Sequence, residues 1–292
     1  MQQGEGDAGT APPGKLLARI AANAERLRAL GILPENDPPP CDIIGDVHGC
    51  AAELLTLLSR LGYARRPGTA AFAHPDGRRA VFVGDLVDRG PNVVDVLRIV
   101  HDMREAGDAL LVIGNHDHKF LRWLRGRPVR IAHGLATTIA QLSALLEPER
   151  SALMREADAL FASASGYLLL DGARLVVTHG AIHDDMLGLW NDRIASLCLY
   201  GDVIGVTADG RPDRRDWGAL RDLRAAGGEA APRIVYGHQV VPEAVWVNRT
   251  LNLDTGCVYG GRLSALRYPK LELVKVPAER AYAVRGGRGD ND

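Results

Sequence analysis

Cysteine is scarce in this chain, and neither sign of charge is in excess. Its 292 residues hold four cysteines, Cys41, Cys50, Cys198 and Cys257, widely separated and never in a C-x-x-C pair. Scattered thiols of this kind fit a reducing cytoplasm better than a disulfide framework. Cys41 and Cys50 flank a polar motif described below, but thiolates suit softer metal sites than that motif would build. Lys plus Arg (35) nearly cancels Asp plus Glu (36). No global basic field therefore drives non-specific binding to nucleic acid, although a local basic groove stays open. No uninterrupted apolar run approaches the length of a membrane span. The N-terminus lacks a basic head followed by an apolar core, so no signal peptide is expected. There is no internal repeat. The apolar fraction of 46% and charged fraction of 24% are ordinary for a soluble globular protein.

One nucleotide-binding pattern is present without its context. Gly9 to Lys15 reads G-x-x-x-x-G-K. No strand precedes it, Leu16 stands where a metal-binding hydroxyl is needed, and Pro12 and Pro13 remove backbone donors from the loop. A kinase module is thus not expected.

Residues 1–14, rich in Gly, Ala and Pro, are expected to be disordered. Leu16, Leu17, Ile20, Leu27 and Leu30 fall at helical spacing, which predicts an amphipathic helix over 15–30. Asp37 and Pro38 to Pro40 then break regular structure, and the main domain is placed at 41–280, with a disordered tail over 281–292. Within the domain, apolar strands alternate with amphipathic helices: strand 42–45 and helix 50–61, strand 80–84 and helix 91–106, strand 109–113 and helix 117–125. Such alternation indicates βαβ units. Residues 134–163 read as helical. Strands are expected again at 174–178, 233–236, 244–248, 250–253, 263–267 and 272–276. The picture is an α/β sandwich with a mixed sheet core and helices outside.

Five apolar segments end in polar clusters. These are Gly45-Asp46-Val47-His48-Gly49, Gly84-Asp85-Leu86-Val87-Asp88-Arg89-Gly90, Gly114-Asn115-His116-Asp117, Thr178-His179-Gly180 and Tyr236-Gly237-His238. In open α/β sheets, ligands bind outside the carboxyl ends of strands. A single Gly-Asp or His-Gly after a strand is usually only a turn; five in this order point to one shared crevice. Two divalent ions would explain the convergence. Asp46 and His48 can turn to one ion, Asp85 can bridge both, and Asn115, His179 and His238 can supply the second. Mixed oxygen and nitrogen ligands suit Mn²⁺, Fe²⁺, Zn²⁺ or Ni²⁺ rather than Ca²⁺. Two ions about 3.5–4 Å apart lower the pKa of a water between them and clamp phosphoryl oxygens. His133-Gly134 repeats the pattern of His179-Gly180. The strand before His179 is longer and stands in the expected order, so His179 is taken as the ligand, leaving His133 to line the cleft or cap the following helix. His118 and His183 fit surface or supporting positions better than ligation.

GDVHG, GDLVDRGP, GNHD, VVTHGA and YGH together resemble the five signature blocks of the calcineurin-like metallophosphoesterases, in the phosphoprotein-phosphatase-like branch. The resemblance runs from about Asp42 to about Val276. It implies a four-layer αββα sandwich. It also implies a dinuclear centre, with Mn²⁺ the first choice, in which Asp46, His48 and Asp85 hold one ion and Asn115, His179 and His238 the other. Arg89 matches the arginine that grips substrate phosphate, and His116 the histidine that protonates the leaving oxygen; Asp117 follows it and would orient its ring. HPDGR at 74–78, GRPVRIAHGLATT at 126–138, LYGDVIG at 199–205 and LNLDTGCVYGGRLSALRYP at 251–269 resemble two bacterial subgroups. One is the phosphatase module of polynucleotide kinase-phosphatases; the other is a set of stand-alone diadenosine tetraphosphate hydrolases. In them the Asp of DTG, here Asp254, lies near the site and receives the leaving group or positions a water.

The resemblance therefore implies a cytoplasmic enzyme without an obligatory protein partner, hydrolysing phosphate esters or anhydrides by attack of a metal-bound hydroxide. A nucleotide-type substrate is expected, either a dinucleoside polyphosphate or an RNA-end phosphate. A Ser/Thr protein phosphatase is the alternative, and a non-catalytic binding module the third reading. Arg122, Arg125, Arg127 and Arg130 are either a solvated helix face or a rim for a polyanion. Trp190, Trp217 and Trp246 are either core or stacking surfaces for a base.

Overall fold

A computed structural model of the chain describes residues 12–35, 40–132, 134–208 and 210–285. Two short helices open it, α1 (Gly14–Ala22) and α2 (Ala24–Ala29). The first βαβ unit is β1 (Cys41–Ile44) and α3 (Ala51–Leu61), followed by the hairpin of β2 (Ala64–Arg65) and β3 (Phe72–Ala73) and then β4 (Arg79–Phe82). Next come α4 (Val93–Glu105), β5 (Ala109–Leu111), α5 (Asn115–Leu124), α6 (Leu135–Ser143) and α7 (Glu149–Ala162). The second half holds β6 (Tyr167–Leu170), β7 (Leu175–Thr178), α8 (Asp192–Tyr200), the hairpin β8 (Val203–Val206) and β9 (Pro212–Arg214), α9 (Trp217–Leu220) and α10 (Leu223–Ala226). It closes with β10 (Arg233–Tyr236), β11 (Trp246–Val247), β12 (Thr250–Asn252), β13 (Arg262–Tyr268) and β14 (Glu272–Pro277).

The strands form two five-stranded mixed sheets, β14-β13-β1-β4-β5 and β11-β12-β10-β7-β6. Their side chains explain the layering. Strands buried on both faces must be apolar at every position, and successive residues point to opposite faces. In β1, Ile43 faces inward and Ile44 outward; in β7, Val177 faces inward and Val176 outward. The inner face of the first sheet, with Ile43, Val81 and Leu266, packs on Leu168, Val177, Val235 and Leu251 of the second. The outer face of the first sheet is covered by α3 to α7, through residues such as Leu54, Val96, Phe120, Leu142 and Phe161. The outer face of the second is covered by α1, α2 and α8, through Leu16, Ile20, Leu27 and Ile194. This is the four-layer αββα sandwich that the alternation and the motifs predicted.

Three details differ from the sequence reading. The helix expected over 15–30 is two helices: the chain kinks at Asn23 (φ −116°, ψ 8°), whose side-chain amide bonds back to the Arg19 carbonyl at 2.9 Å. Asparagine competes with the helical ladder in just this way. The helical stretch expected over 134–163 is also two helices, divided before Pro148, which has no N–H to continue the first. Strands β2, β3, β6, β8 and β9 and helices α8, α9 and α10 were not anticipated; segments such as YLLL are too short for a periodicity to show. Of the expected terminal tails, residues 1–11 and 286–292 lie outside the described residues, whereas 281–285 are described and bonded to the domain. No helix among the described residues is long and apolar enough to cross a membrane.

Where the two halves of the first sheet meet, one buried carboxylate holds several donors. Asp42, fully buried in β1, accepts two bonds from Arg78 (2.7 and 2.9 Å), one from Tyr63 (3.1 Å) and one from Arg267 (3.3 Å). Arg78 also donates to the carbonyls of Cys41 and Tyr268. Removing one partner of a buried pair leaves the other uncompensated. Arg78→Ala is therefore expected to lower unfolding free energy by roughly 3–5 kcal/mol, measured by urea denaturation at neutral pH.

Candidate metal and phosphate site

In each sheet the three parallel strands point the same way: β1, β4 and β5 in one, β7, β10 and β12 in the other. Every polar cluster singled out in the sequence lies just past the carboxyl end of one of these six strands. β1 leads to Asp46 and His48, β4 to Asp85, Asp88 and Arg89, and β5 to Asn115, His116 and Asp117. β7 leads to His179, β10 to His238, and β12 to Asp254.

The structure brings these side chains together. His48, Asp85 and His116 offer ligand atoms within 4.8 Å of one another, and Asp85, His179 and His238 form a second such group. Asp85 is common to both, the position expected of a bridging carboxylate. Its Oδ2 lies 3.5 Å from His48 Nε2 and its Oδ1 3.5 Å from His179 Nε2. Asn115 Oδ1 is 3.0 Å from His179 Nε2 and 2.9 Å from His238 Nδ1. The backbone N–H of His238 donates to Asp46 Oδ2 at 3.1 Å.

Hydrogen bonds fix which ring nitrogens can ligate. His48 Nδ1 lies 2.8 Å from the Val87 carbonyl, and His179 Nδ1 2.9 Å from the Val83 carbonyl. A carbonyl only accepts, so each Nδ1 carries the proton and each Nε2 presents a lone pair. The guanidinium of Arg89 donates to His48 Nε2 at 2.8 Å, a bond that needs the same tautomer. Second-sphere carbonyls of this kind orient metal-bound imidazoles.

The loops are bent to make this possible. His48, Asp85, Asp88, Arg89 and His238 all have left-handed backbone, with φ between 44° and 73°. Such residues are uncommon, and each costs on the order of 1 kcal/mol or more unless the surroundings enforce it. Close backbone approach enforces it here. A Cβ at Gly237 would overlap Asp46 Oδ1, and one at Gly114 would overlap the Asp85 carboxylate.

Charge makes the same point. Asp46, Asp85 and Asp254 are almost wholly buried. Burial, together with the like charges of Asp254 and Asp85, holds the Asp46 carboxyl well above the usual carboxylate range. Burial likewise pushes Asp254 up to about 6, with Asp85 adding to the shift and Arg89 opposing it. Three carboxylates crowded out of water need cations to stay ionised. Oxygen and imidazole donors around a shared carboxylate fit two borderline divalent ions.

The role expected of Asp117 is corrected. Its Oδ1 accepts from the N–H of Leu86 at 2.9 Å, and its Oδ2 from the N–H of Gly114 at 3.1 Å, closing the first turn of α5. It ties two metal-site loops together. The ring of His116 is instead held by Asp88, whose Oδ2 is 2.7 Å from Nδ1. Thr138 fixes Asp88 in turn, donating to its Oδ1 at 2.6 Å and accepting from its N–H at 3.0 Å. Asp88 sits inside a motif already singled out, but nothing in the string tells where its side chain turns. The sequence also gave no sign of Tyr259, over whose ring the Arg89 guanidinium lies at 5.6 Å.

Other candidates fall elsewhere. His133 lies outside the described residues. Trp217 is core, packed on His183 and Tyr236, and Trp190 packs on Tyr167. Arg125 pairs with Asp158 on the surface. All four cysteines are buried free thiols, and Cys50 groups with Cys257 and Glu53, apart from both His/Asp groups.

The family model for the calcineurin-like phosphoesterases matches residues 40–274. The chain is 44% identical over 240 residues to a bis(5′-nucleosyl)-tetraphosphatase of Halalkalibacterium halodurans, covering 82% of this chain and 94% of that protein. It is 43% identical over 242 residues to the corresponding protein of Bacillus subtilis, covering 82% and 96%. Among solved structures, one provisionally described as a diadenosine tetraphosphatase superposes with a TM-score of 0.58 at 23% identity, over 85% of this chain and 97% of that one. A serine/threonine phosphatase of Saccharomyces cerevisiae superposes with a TM-score of 0.55 at 15% identity, over 91% and 89%. At these identities the two structures speak to the fold alone.

The close packing at Gly237 yields an expectation that needs no substrate. Gly237→Ala must displace the Asp46 carboxylate, and we expect the affinity for Mn²⁺ to fall by about 10–100-fold, measured by equilibrium dialysis, with the circular dichroism spectrum unchanged.

Proposed function

The chain belongs to the calcineurin-like phosphoesterase family and is a metal-dependent hydrolase, and on that premise we propose that it hydrolyses dinucleoside polyphosphates. The observation that carries the substrate is the likeness to the two bacterial tetraphosphatases, which extends over nearly their whole length. In this reading Asp46, His48 and Asp85 hold one divalent ion, and Asn115, His179 and His238 the other, with Asp85 between them. Mn²⁺ is the proposed metal, and the buried free thiols suit a cytoplasmic setting. A pair of ions at this place would lower the pKa of water and neutralise phosphoryl charge.

The chain's own residues do the rest. Arg89, whose guanidinium lies over the ring of Tyr259 at 5.6 Å and leaves His48 Nε2 when an ion takes that lone pair, presents a planar fork that matches two phosphoryl oxygens. His116 donates from Nδ1 to Asp88, which leaves Nε2 as the atom that hands a proton to the leaving phosphate oxygen. Asp88 positions that ring and stabilises its charged form. Asp117 keeps the loops after β4 and β5 in register. Asp254, buried near Asp46 and Asp85, would orient the attacking water. Hydrolysis then needs no covalent intermediate on the protein.

The test compares Mn²⁺-dependent release from diadenosine tetraphosphate, a 3′-phosphorylated oligoribonucleotide and a phosphopeptide at matched concentrations. A kcat/KM for the dinucleotide at least about tenfold above the others is expected. Preference for the oligoribonucleotide or the phosphopeptide would keep the site and replace the substrate. Asp88→Asn is expected to lower kcat on the order of a hundredfold, with KM little changed, because the ring keeps its place but loses the partner for its positive charge. Asn115→Ala should abolish measurable turnover while the chain stays folded, as read by its thermal transition.

A further inference from the structure

After β14 the chain does not leave the domain but doubles back along the loop that carries Asp254. Ala278 N–H bonds to the Gly261 carbonyl at 2.9 Å, and the N–H groups of Tyr282 and Ala283 bond to the Val258 carbonyl at 2.9 and 3.0 Å. Ala281 pairs with Tyr259 as an antiparallel bridge. A buried side chain anchors this strap. Glu53, 1% exposed near the start of α3, accepts at Oε1 from Glu279 N–H at 3.0 Å and from the Tyr282 hydroxyl at 2.8 Å. Helix α3 follows directly on the loop of Asp46 and His48. The strap is thus fixed both to the loop that carries Asp254 and to the helix that follows the loop of Asp46 and His48.

The strap carries Arg285. Its guanidinium donates to the Val240 carbonyl at 3.3 Å. Val240 lies two residues past His238, and its neighbour Val241 bonds to the Asp254 carbonyl at 2.9 Å. Arg285 is exposed, and among the described residues this long hydrogen bond is its one polar contact. A guanidinium offers five donors, so most of its capacity faces solvent. Its charge is nevertheless felt at Asp254, as that of Arg89 is.

We infer that Arg285 is a second phosphate-binding residue, which holds the phosphates of an oligophosphate chain that lie beyond the phosphoryl group gripped by Arg89. The inference rests on the substrate class proposed above and sharpens it. An orthophosphate or a simple monoester has nothing to place against Arg285, whereas a dinucleoside polyphosphate has charge on both sides of the bond that breaks. Arg89 is buried and serves every substrate. Arg285 is exposed and serves long ones, so the strap sets specificity rather than chemistry. An exposed arginine carried on an anchored segment loses little freedom when it closes on a bidentate anion.

Calorimetric titration in Mn²⁺ buffer tests this with three ligands: a methylene-bridged, uncleavable analogue of diadenosine tetraphosphate, inorganic tripolyphosphate and orthophosphate. In Arg285→Ala the Kd of both oligophosphates should rise about tenfold, while that of orthophosphate stays within about twofold; Arg285→Lys should recover part of the loss. Unchanged oligophosphate affinity in Arg285→Ala, or equal weakening of all three ligands, overturns the role of Arg285 and leaves the substrate reading standing. Wild-type binding of tripolyphosphate but not of the dinucleotide overturns the substrate reading alone, with Arg285 then judged on tripolyphosphate. Binding of neither oligophosphate overturns both.

Discussion

Asp46, Asp85 and Asp254 are buried within reach of one another's charge, and much of the structure follows from keeping them there. Hydrophobic packing alone would not collect three carboxylates, since each loses its hydration and gains a repulsive neighbour. The protein answers in two ways. It surrounds them with neutral imidazoles whose Nδ1 protons are committed to backbone carbonyls, so that lone pairs face inward. It also holds the carboxylates on loops too tightly packed to let them swing out, with glycines where any side chain would push them away. Both devices make sense only if cations restore the balance. The left-handed backbone at His48, Asp85 and His238 is the local expense of that arrangement.

The imidazole proposed as the acid is organised separately. His116 has its own carboxylate in Asp88, and Asp88 is fixed by Thr138 of α6 in the outer helical layer. The two arginines proposed to meet phosphate differ in the same spirit. Arg89 is enclosed between His48 and Tyr259, while Arg285 bonds from a strap outside the sheets to the loop that follows His238. Chemistry is held rigidly and selectivity is added at the edge.

Much of this was legible in the sequence because each candidate metal-site residue follows closely on an apolar strand. A strand buried on both faces announces itself as an unbroken apolar run, and its polar terminus is then conspicuous. The fold class could be read in this way, and so could the loops that carry the six residues proposed as ligands. What could not be read depends on directions rather than on strings. Asp88 and Asp117 both lie beside His116 in space, and only the paths of their side chains decide which one meets the ring. The breaks at Asn23 and Pro148 lie inside stretches whose apolar periodicity continues across them. Arg285 sits far along the chain in a Gly-rich terminus, and nothing local ties it to a site formed mostly by earlier strands.

The proposed ligands are divided between the two sheets. Asp46, His48 and Asn115 hang from the first, His179 and His238 from the second, and Asp85 meets both sets. Elsewhere the facing sheets are joined mainly by apolar packing, which is non-directional. A pair of ions gripped from both sides would act as a rivet at one end of the seam, linking chain segments nearly two hundred residues apart. In a protein whose thiols are all free, such a rivet takes the place that a disulfide holds in secreted domains. Metal supply would then govern how long the protein survives in the cell as well as how fast it works.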